Sequence, residues 1–162
     1  MKSLGDVCRE LNRRGVRYLL IGGHAVAAHG YPRATQDIDL VVALDPENSR
    51  TAIVALQSLG YRPLVPVDPL QFAEPARRAE WRIEKGEVVF QMTTGEPLDL
   101  PVDLFIEHPF DFDAEYASAF WVEFGADLMI PVVSLRALLA MKRKAGRQKD
   151  LLDIQELEEP GA

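Results

Sequence analysis

The sequence predicts an α+β fold: a mixed β-sheet flanked by helices and closed by C-terminal helices. Three observations carry that expectation. Short, β-rich apolar runs alternate with segments of helical periodicity. Glycine or proline punctuates most of the junctions between them. Two further helical stretches end the chain, with no repeat, low-complexity tract or linker before them. The 162 residues suit one domain over 1–162, with a core over about 1–131 and a helical segment over about 134–158.

The elements follow in order. Leu4, Val7, Cys8 and Leu11 recur at helical spacing and Gly15 ends that helix. Val16–Ile21 (VRYLLI) reads as a buried strand, Gly22-Gly23 breaks it, and Ala25–His29 reads as a short helix ending at Gly30. Asp37–Leu44 is a second strand, followed by a helix over about Pro46–Leu59, with proline opening it and Gly60 beyond its end. Tyr61–Pro69 carries three prolines and is expected to be extended or loop. A helix within Leu70–Arg82 is interrupted by Pro75. Val88–Met92 and Val102–Ile106 are strands around a turn-rich TTGEP, and Phe120–Phe124 with Asp127–Ile130 forms a hairpin. Ser134 caps a helix running to Ala145, and Gln148–Leu157 forms the last one.

Composition narrows the function classes. Eighteen Lys and Arg stand against 25 Asp and Glu, a net charge of −7, which counts against a broad nucleic-acid surface. The charge is uneven: Gly86–Leu135 holds ten acids and no Lys or Arg, and the rest of the chain is net +3. That window is a solvated face, a metal site or a surface that repels nucleic acid. One cysteine, Cys8, excludes an intrachain disulfide and a multi-cysteine zinc site. No signal-peptide core and no membrane-length apolar run is present, so a soluble, cytoplasmic protein without a membrane partner is expected.

The chemistry concentrates in Leu20–Val42. Asp37 and Asp39 alternate with Ile38 and Leu40 on a strand, so both carboxylates project from one face while the apolar pair turns to the other. Paired hard oxygen ligands suit Mg²⁺ or Mn²⁺, although a solvated acidic pair at a strand end is the plainer alternative. Gly22-Gly23 lies between strand and helix, where backbone N–H groups can hold an anion; glycines also serve tight turns. The combination, with the acids fourteen and sixteen residues after Gly23, is more specific than either part.

On these residues the chain resembles the nucleotidyltransferase superfamily related to DNA polymerase β. It is most similar to the small bacterial minimal or AbiEii-like nucleotidyltransferases. The glycine turn Ile21-Gly22-Gly23, the pair Asp37-Ile38-Asp39, the elements His29-Gly30, Arg33 and Thr35, and the closing stretch Leu139–Ile154 all match that pattern. The resemblance implies a nucleotidyltransferase-like sheet, an NTP co-substrate, and Asp103 as a third acid within PVDLF. It further implies that Asp37 and Asp39 bind one Mg²⁺ or Mn²⁺ and that Asp39 and Asp103 share a second. Gly22 and Gly23 would admit the triphosphate. Many members carry Ser where this chain has Gly23, which leaves the backbone alone to grip phosphate there.

Arg33 is a candidate phosphate ligand, because a guanidinium makes two parallel hydrogen bonds to phosphate oxygens. Its alternative is a salt bridge that orders the Asp37 strand. Thr35 shapes the loop. His24 and His29 read as structural. Lys142 follows an apolar helical run and can reach a γ-phosphate as a point charge, the alternative being a solvated helix face. Lys144 and Arg147 are similarly placed, while Asp150 and Asp153 are expected to cap or salt-bridge this basic cluster.

The leading expectation is an enzyme that moves an NMP from an NTP to an acceptor hydroxyl by two-metal catalysis. The alternative is a catalytically weak nucleotidyltransferase fold kept as a binding or regulatory module, such as a toxin–antitoxin component with its partner. The acceptor is open: a small molecule, a tRNA or a protein hydroxyl needs the same machinery, with Tyr61–Lys85 the segment expected to select it.

Overall fold

The computed structural model describes residues 1–86 and 88–159. Glu87, one of the ten central acids, and residues 160–162 at the end of the expected domain lie outside the described residues.

Ser3 opens the first helix, α1 (Leu4–Arg13), through a reciprocal capping box with Asp6. Its Val7, Cys8 and Leu11 face the core. Strand β1 (Tyr18–Ile21) is buried at every position and runs directly into helix α2 (Gly22–Ala28). The glycine pair thus begins the helix, instead of preceding one over Ala25–His29. Strand β2 (Ile38–Val42) buries Ile38 and Leu40 as its alternation requires. Asp45 caps α3 (Pro46–Ser58), with proline in its first turn.

The proline-rich middle is more ordered than its sequence suggests. It holds a two-residue strand β3 (Arg62–Pro63), a 3-10 turn (Pro69–Ala73) and helix α4 (Pro75–Lys85). Pro75 interrupts the run as expected: the 3-10 turn ends at Ala73, and Pro75 opens a new helix at the position where its missing N–H costs nothing. Strands β4 (Val89–Thr93) and β5 (Val102–Phe105) follow. Helix α5 (Phe112–Ala117), capped by Asp111, is six residues long, too short for periodicity to reveal. Strands β6 (Phe120–Glu123) and β7 (Met129–Val132) form the expected hairpin across Gly125, whose φ is +73°. Helices α6 (Leu135–Ala145), capped by Ser134, and α7 (Gln148–Glu158) complete the described chain.

The seven strands make one mixed sheet in the order β3-β4-β5-β2-β1-β7-β6. The pairs β2–β5 and β1–β7 are parallel and the others antiparallel. Along β4, Phe90 and Met92 are buried while Val89, Gln91 and Thr93 are half-buried. Trp81 of α4 stacks flat on Phe90 at 5.1 Å, and Phe72 of the 3-10 turn lies 5.5 Å from it. The segment expected to select the acceptor therefore packs on the Phe90 face. Gln91, and Asp103 paired with it across β4–β5, turn to the opposite face.

Candidate active site

The acids meet because the sheet register makes them. Ile21 at the end of β1 stands opposite Asp39 on β2, and Asp39 in turn stands opposite Asp103 on β5. Side chains in directly opposed positions share a face, so the two carboxylates project together. Gly22 comes next after Ile21, with φ +71°. A Cβ there would collide with the Asp39 carboxylate, so the turn must be glycine on both counts. Gly23 is equally constrained, since a Cβ would lie 2.8 Å from Thr35 Oγ1. The space a serine would need is filled by Thr35, whose hydroxyl donates to the Asp37 carbonyl at 3.1 Å.

The electrostatics of the pair are unfavourable without a cation. Burial, then repulsion from Asp103 and Asp37, pushes the Asp39 carboxyl up to about 7. The Asp103 carboxyl is also raised, chiefly by burial, although a hydrogen bond from Gln91 opposes this. Asp39 and Asp103 are close enough for a protonated Asp39 to hydrogen-bond Asp103. Asp37, one residue before β2 and half-buried, acts on both through its charge. Among the described residues, no three His, Cys, Asp or Glu side chains are already gathered as a finished cation cage. Two like-charged, partly desolvated carboxylates with a third nearby nonetheless fit a hard divalent cation, because its charge would remove their repulsion.

The reading of the residues did not single out Gln91. Its amide donates to Asp103 Oδ1 at 2.8 Å, leaving the other carboxylate oxygen uncommitted to it. A polar residue between two buried ones in VFQM was the available signal.

The cationic side is arranged differently from expectation. Lys142 is buried, not on a solvated helix face, and its Nζ lies 3.3 Å from Asp150 Oδ1 and 3.0 Å from Asp153 Oδ2. Arg33 pairs with Asp153 at 3.0 Å, so the salt bridge weighed for it ties its loop to α7 and not to the Asp37 strand. Arg147 reaches Asp150 at 2.7 Å and also opens α7 as a capping partner. Asp150 and Asp153 do bridge the basic cluster, and both are fully desolvated, at 0% and 2% exposed. Their spacing with Leu157 puts them on the buried face of α7, a periodicity legible in KDLLDIQEL. Lys142 remains close enough to lower the Asp39 carboxyl, though less than burial raises it. His29 donates from Nε2 to the Val133 carbonyl at 2.8 Å, as a structural histidine should. His24 differs: its Nε2 is buried and finds no partner among the described residues.

A DxD strand beside an acid-bearing parallel strand, joined to a glycine turn, defines the class as a nucleotidyltransferase fold. Solved structures agree. The lincosamide antibiotic adenylyltransferase LnuA, bound to lincomycin, matches at 17% identity over 99% of both chains, with a TM-score of 0.61. The antibiotic-resistance factor ANT(2'')-Ia matches at 16% identity over 94% of this chain and 78% of its own, with a TM-score of 0.59. An antigenic nucleotidyltransferase-like protein from Paracoccidioides brasiliensis matches at 17% over 95% and 73%, with a TM-score of 0.54. Residues 10–161 match the family model described as nucleotidyl transferase AbiEii toxin, Type IV TA system. The chain belongs to the AbiEii nucleotidyltransferase family. No curated protein sequence matches it. No helix among the described residues is long and apolar enough to cross a membrane.

Proposed function

We propose that the chain transfers a nucleoside monophosphate from an NTP to an acceptor hydroxyl, releasing pyrophosphate. The observation that carries this reading is the in-register placement of Asp39 and Asp103 beside the Gly22 turn. Asp37, Asp39 and Asp103 would hold Mg²⁺ or Mn²⁺, which supplies charge neutralisation at the triphosphate and the acceptor oxygen when bound.

The chain's own groups have separate tasks. Gly22 and Gly23 carry no side chain because Asp39 and Thr35 fill that space, and their backbone N–H groups at the start of α2 would face the phosphates. Asp103 takes the proton of the acceptor hydroxyl, and Gln91 holds its other oxygen so that one lone pair faces the acceptor. The acceptor oxygen forms its bond to the α-phosphorus as the bond to pyrophosphate breaks. Arg33 and Lys142, held in place by Asp150 and Asp153, would add positive charge on the side of the leaving phosphates.

ATP is the proposed donor, by analogy with the lincosamide adenylyltransferase LnuA. A small hydroxylated molecule, a tRNA end and a protein hydroxyl all remain acceptors that this machinery would serve. The role of toxin in a toxin–antitoxin pair rests on the family description alone. The test is transfer of label from α-³²P-NTPs, with Mg²⁺ or Mn²⁺, to pools of RNA, protein and small-molecule acceptors. Label retained on one pool by wild type, and lost in Asp39→Asn and Asp103→Asn, is the expected result. Equal labelling by wild type and both folded variants would overturn the reading.

A further inference from the structure

Among the described residues, Arg78 is a buried cation without a counter-ion. It is 7% exposed, and its guanidinium donates to the carbonyls of Phe72 at 2.6 Å and Leu44 at 3.3 Å. It also lies over the Phe72 ring, 5.8 Å from the centroid. Among the described residues it has no carboxylate partner, unlike Arg82 one turn further along α4, which pairs with Glu107 at 2.9 Å. Burial lowers the basicity of Arg78 without discharging it, because a guanidinium stays protonated in proteins. A desolvated charge that meets only neutral acceptors is an incomplete arrangement.

That charge lines a groove of about 420 Å³. One wall is the face of α4 formed by Pro75, Arg78, Ala79, Arg82 and Ile83, spaced as successive turns of one helix side. The other is the far end of the sheet: Leu44 beyond β2, and Ile106–His108 beyond β5. His108 is already committed, with its Nε2 donating to the Val42 carbonyl at 2.9 Å. The groove is separate from the candidate active site. It lies past the C-terminal ends of β2 and β5 and on the side where α4 packs, whereas Asp39 and Asp103 face the other way.

We propose that this groove binds a small apolar monocarboxylate, held by Arg78. Charge decides the valence. Arg78 and Arg82 against Glu107 leave a surplus of one positive unit, which a single carboxylate cancels and a phosphate dianion exceeds. Geometry allows it: of the five N–H groups on a guanidinium two serve the carbonyls, and a bidentate carboxylate takes two more. The walls decide the rest of the ligand. Pro75, Ala79 and Ile83 offer apolar surface, and Ile83 is 82% exposed, so an alkyl or aryl body gains by covering it.

The test is titration of the whole protein with hexanoate at pH 8 and constant ionic strength, read by calorimetry and by NMR shifts of α4 amides. Saturable 1:1 binding is expected, with acetate at least tenfold weaker and hexan-1-ol not binding. Ala79→Trp, at an exposed helix position, fills the groove and is expected to weaken hexanoate at least tenfold while leaving the unliganded melting temperature in place. Arg78→Gln should lose binding too; if it does not fold, the Trp variant decides alone. No hexanoate binding by wild type, hexan-1-ol equal to hexanoate, inorganic phosphate tighter than hexanoate, or unchanged binding in the Trp variant would each overturn the proposal.

Discussion

Two clusters of buried charge adjoin on one side of the sheet, and they are built in opposite ways. Asp39 and Asp103 are like charges brought together by strand register, with Lys142 only partly offsetting their repulsion. Lys142, Asp150, Asp153, Arg33 and Arg147 alternate in sign, and each buried carboxylate there meets two cations. The first cluster costs stability in the metal-free protein and gains by taking up a cation. The second is already satisfied, and its worth lies in holding two cations beside the first. Burial alone therefore does not tell a reactive charge from a structural one; the sign of the nearest neighbour does.

The largest expected effect separates them by activity. Asp39→Asn should lower nucleotidyl transfer by about 10³-fold or more, the scale of losing several kcal/mol of transition-state stabilisation. The same variant should melt higher than wild type at pH 8 without metal, because it removes a repulsion. A melting curve beside the labelled-NTP assay checks both, and a lower melting temperature would break the contrast.

Asp153→Asn should do the reverse. Removing one partner of a buried ion pair costs about 3 kcal/mol or more, so urea unfolding should show a large loss of stability. Transfer measured on the folded fraction should keep its kcat better than its KM for NTP, since Arg33 and Lys142 lose a support and not their charge.

Acidity offers a third separation, with opposite signs. Asp39 has a folded value near 7 against an ordinary 3.8, so between those limits the folded protein holds a proton that the unfolded chain releases. Its contribution to stability is therefore present at low pH and lost as pH rises toward 7. Burial would raise Asp150, but hydrogen bonds from Arg147 and Lys142 prevail and hold its carboxyl below the ordinary value. Its contribution is present above pH 3.8 and lost as pH falls further. Urea midpoints between pH 3 and 8 should show both limbs, with Asp39→Asn flattening only the upper one. Mg²⁺ at about 100 times its Kd should then restore about 2.7 kcal/mol at pH 8 in wild type and nothing in Asp39→Asn.

The smallest effect is a control. Arg143 and Glu158 form an ion pair on the solvent side of the same two C-terminal helices. Arg143→Ala should change stability by less than about 0.5 kcal/mol in a thermal melt, as an exposed pair should.

Much of this is legible in the sequence. The strand alternation in DIDL put Asp37 and Asp39 on one face and Ile38 and Leu40 on the other, and the apolar pair is buried as period two requires. Ser134 capped its helix through its own side chain three residues on, so local chemistry sufficed. In Tyr61–Lys85 the prolines forecast the breaks seen at Pro69 and Pro75, but not that Phe72 and Trp81 pack against Phe90 and hold the segment on the face of the sheet opposite Asp103.

By itself, then, the sequence determined the α+β class, the positions of most elements and the family, because these depend on periodicity and motifs within a few tens of residues. Only the tertiary structure decided which charges are neighbours. Gln91 reached Asp103 through strand pairing, and Arg33 reached Asp153 across 120 residues of chain. Burial then turned Lys142 from a surface lysine into the centre of a network, and left Arg78 without a counter-ion among the described residues. Pairing and desolvation are properties of the assembled fold, and for charged groups they set the energies that a sequence count of −7 cannot contain.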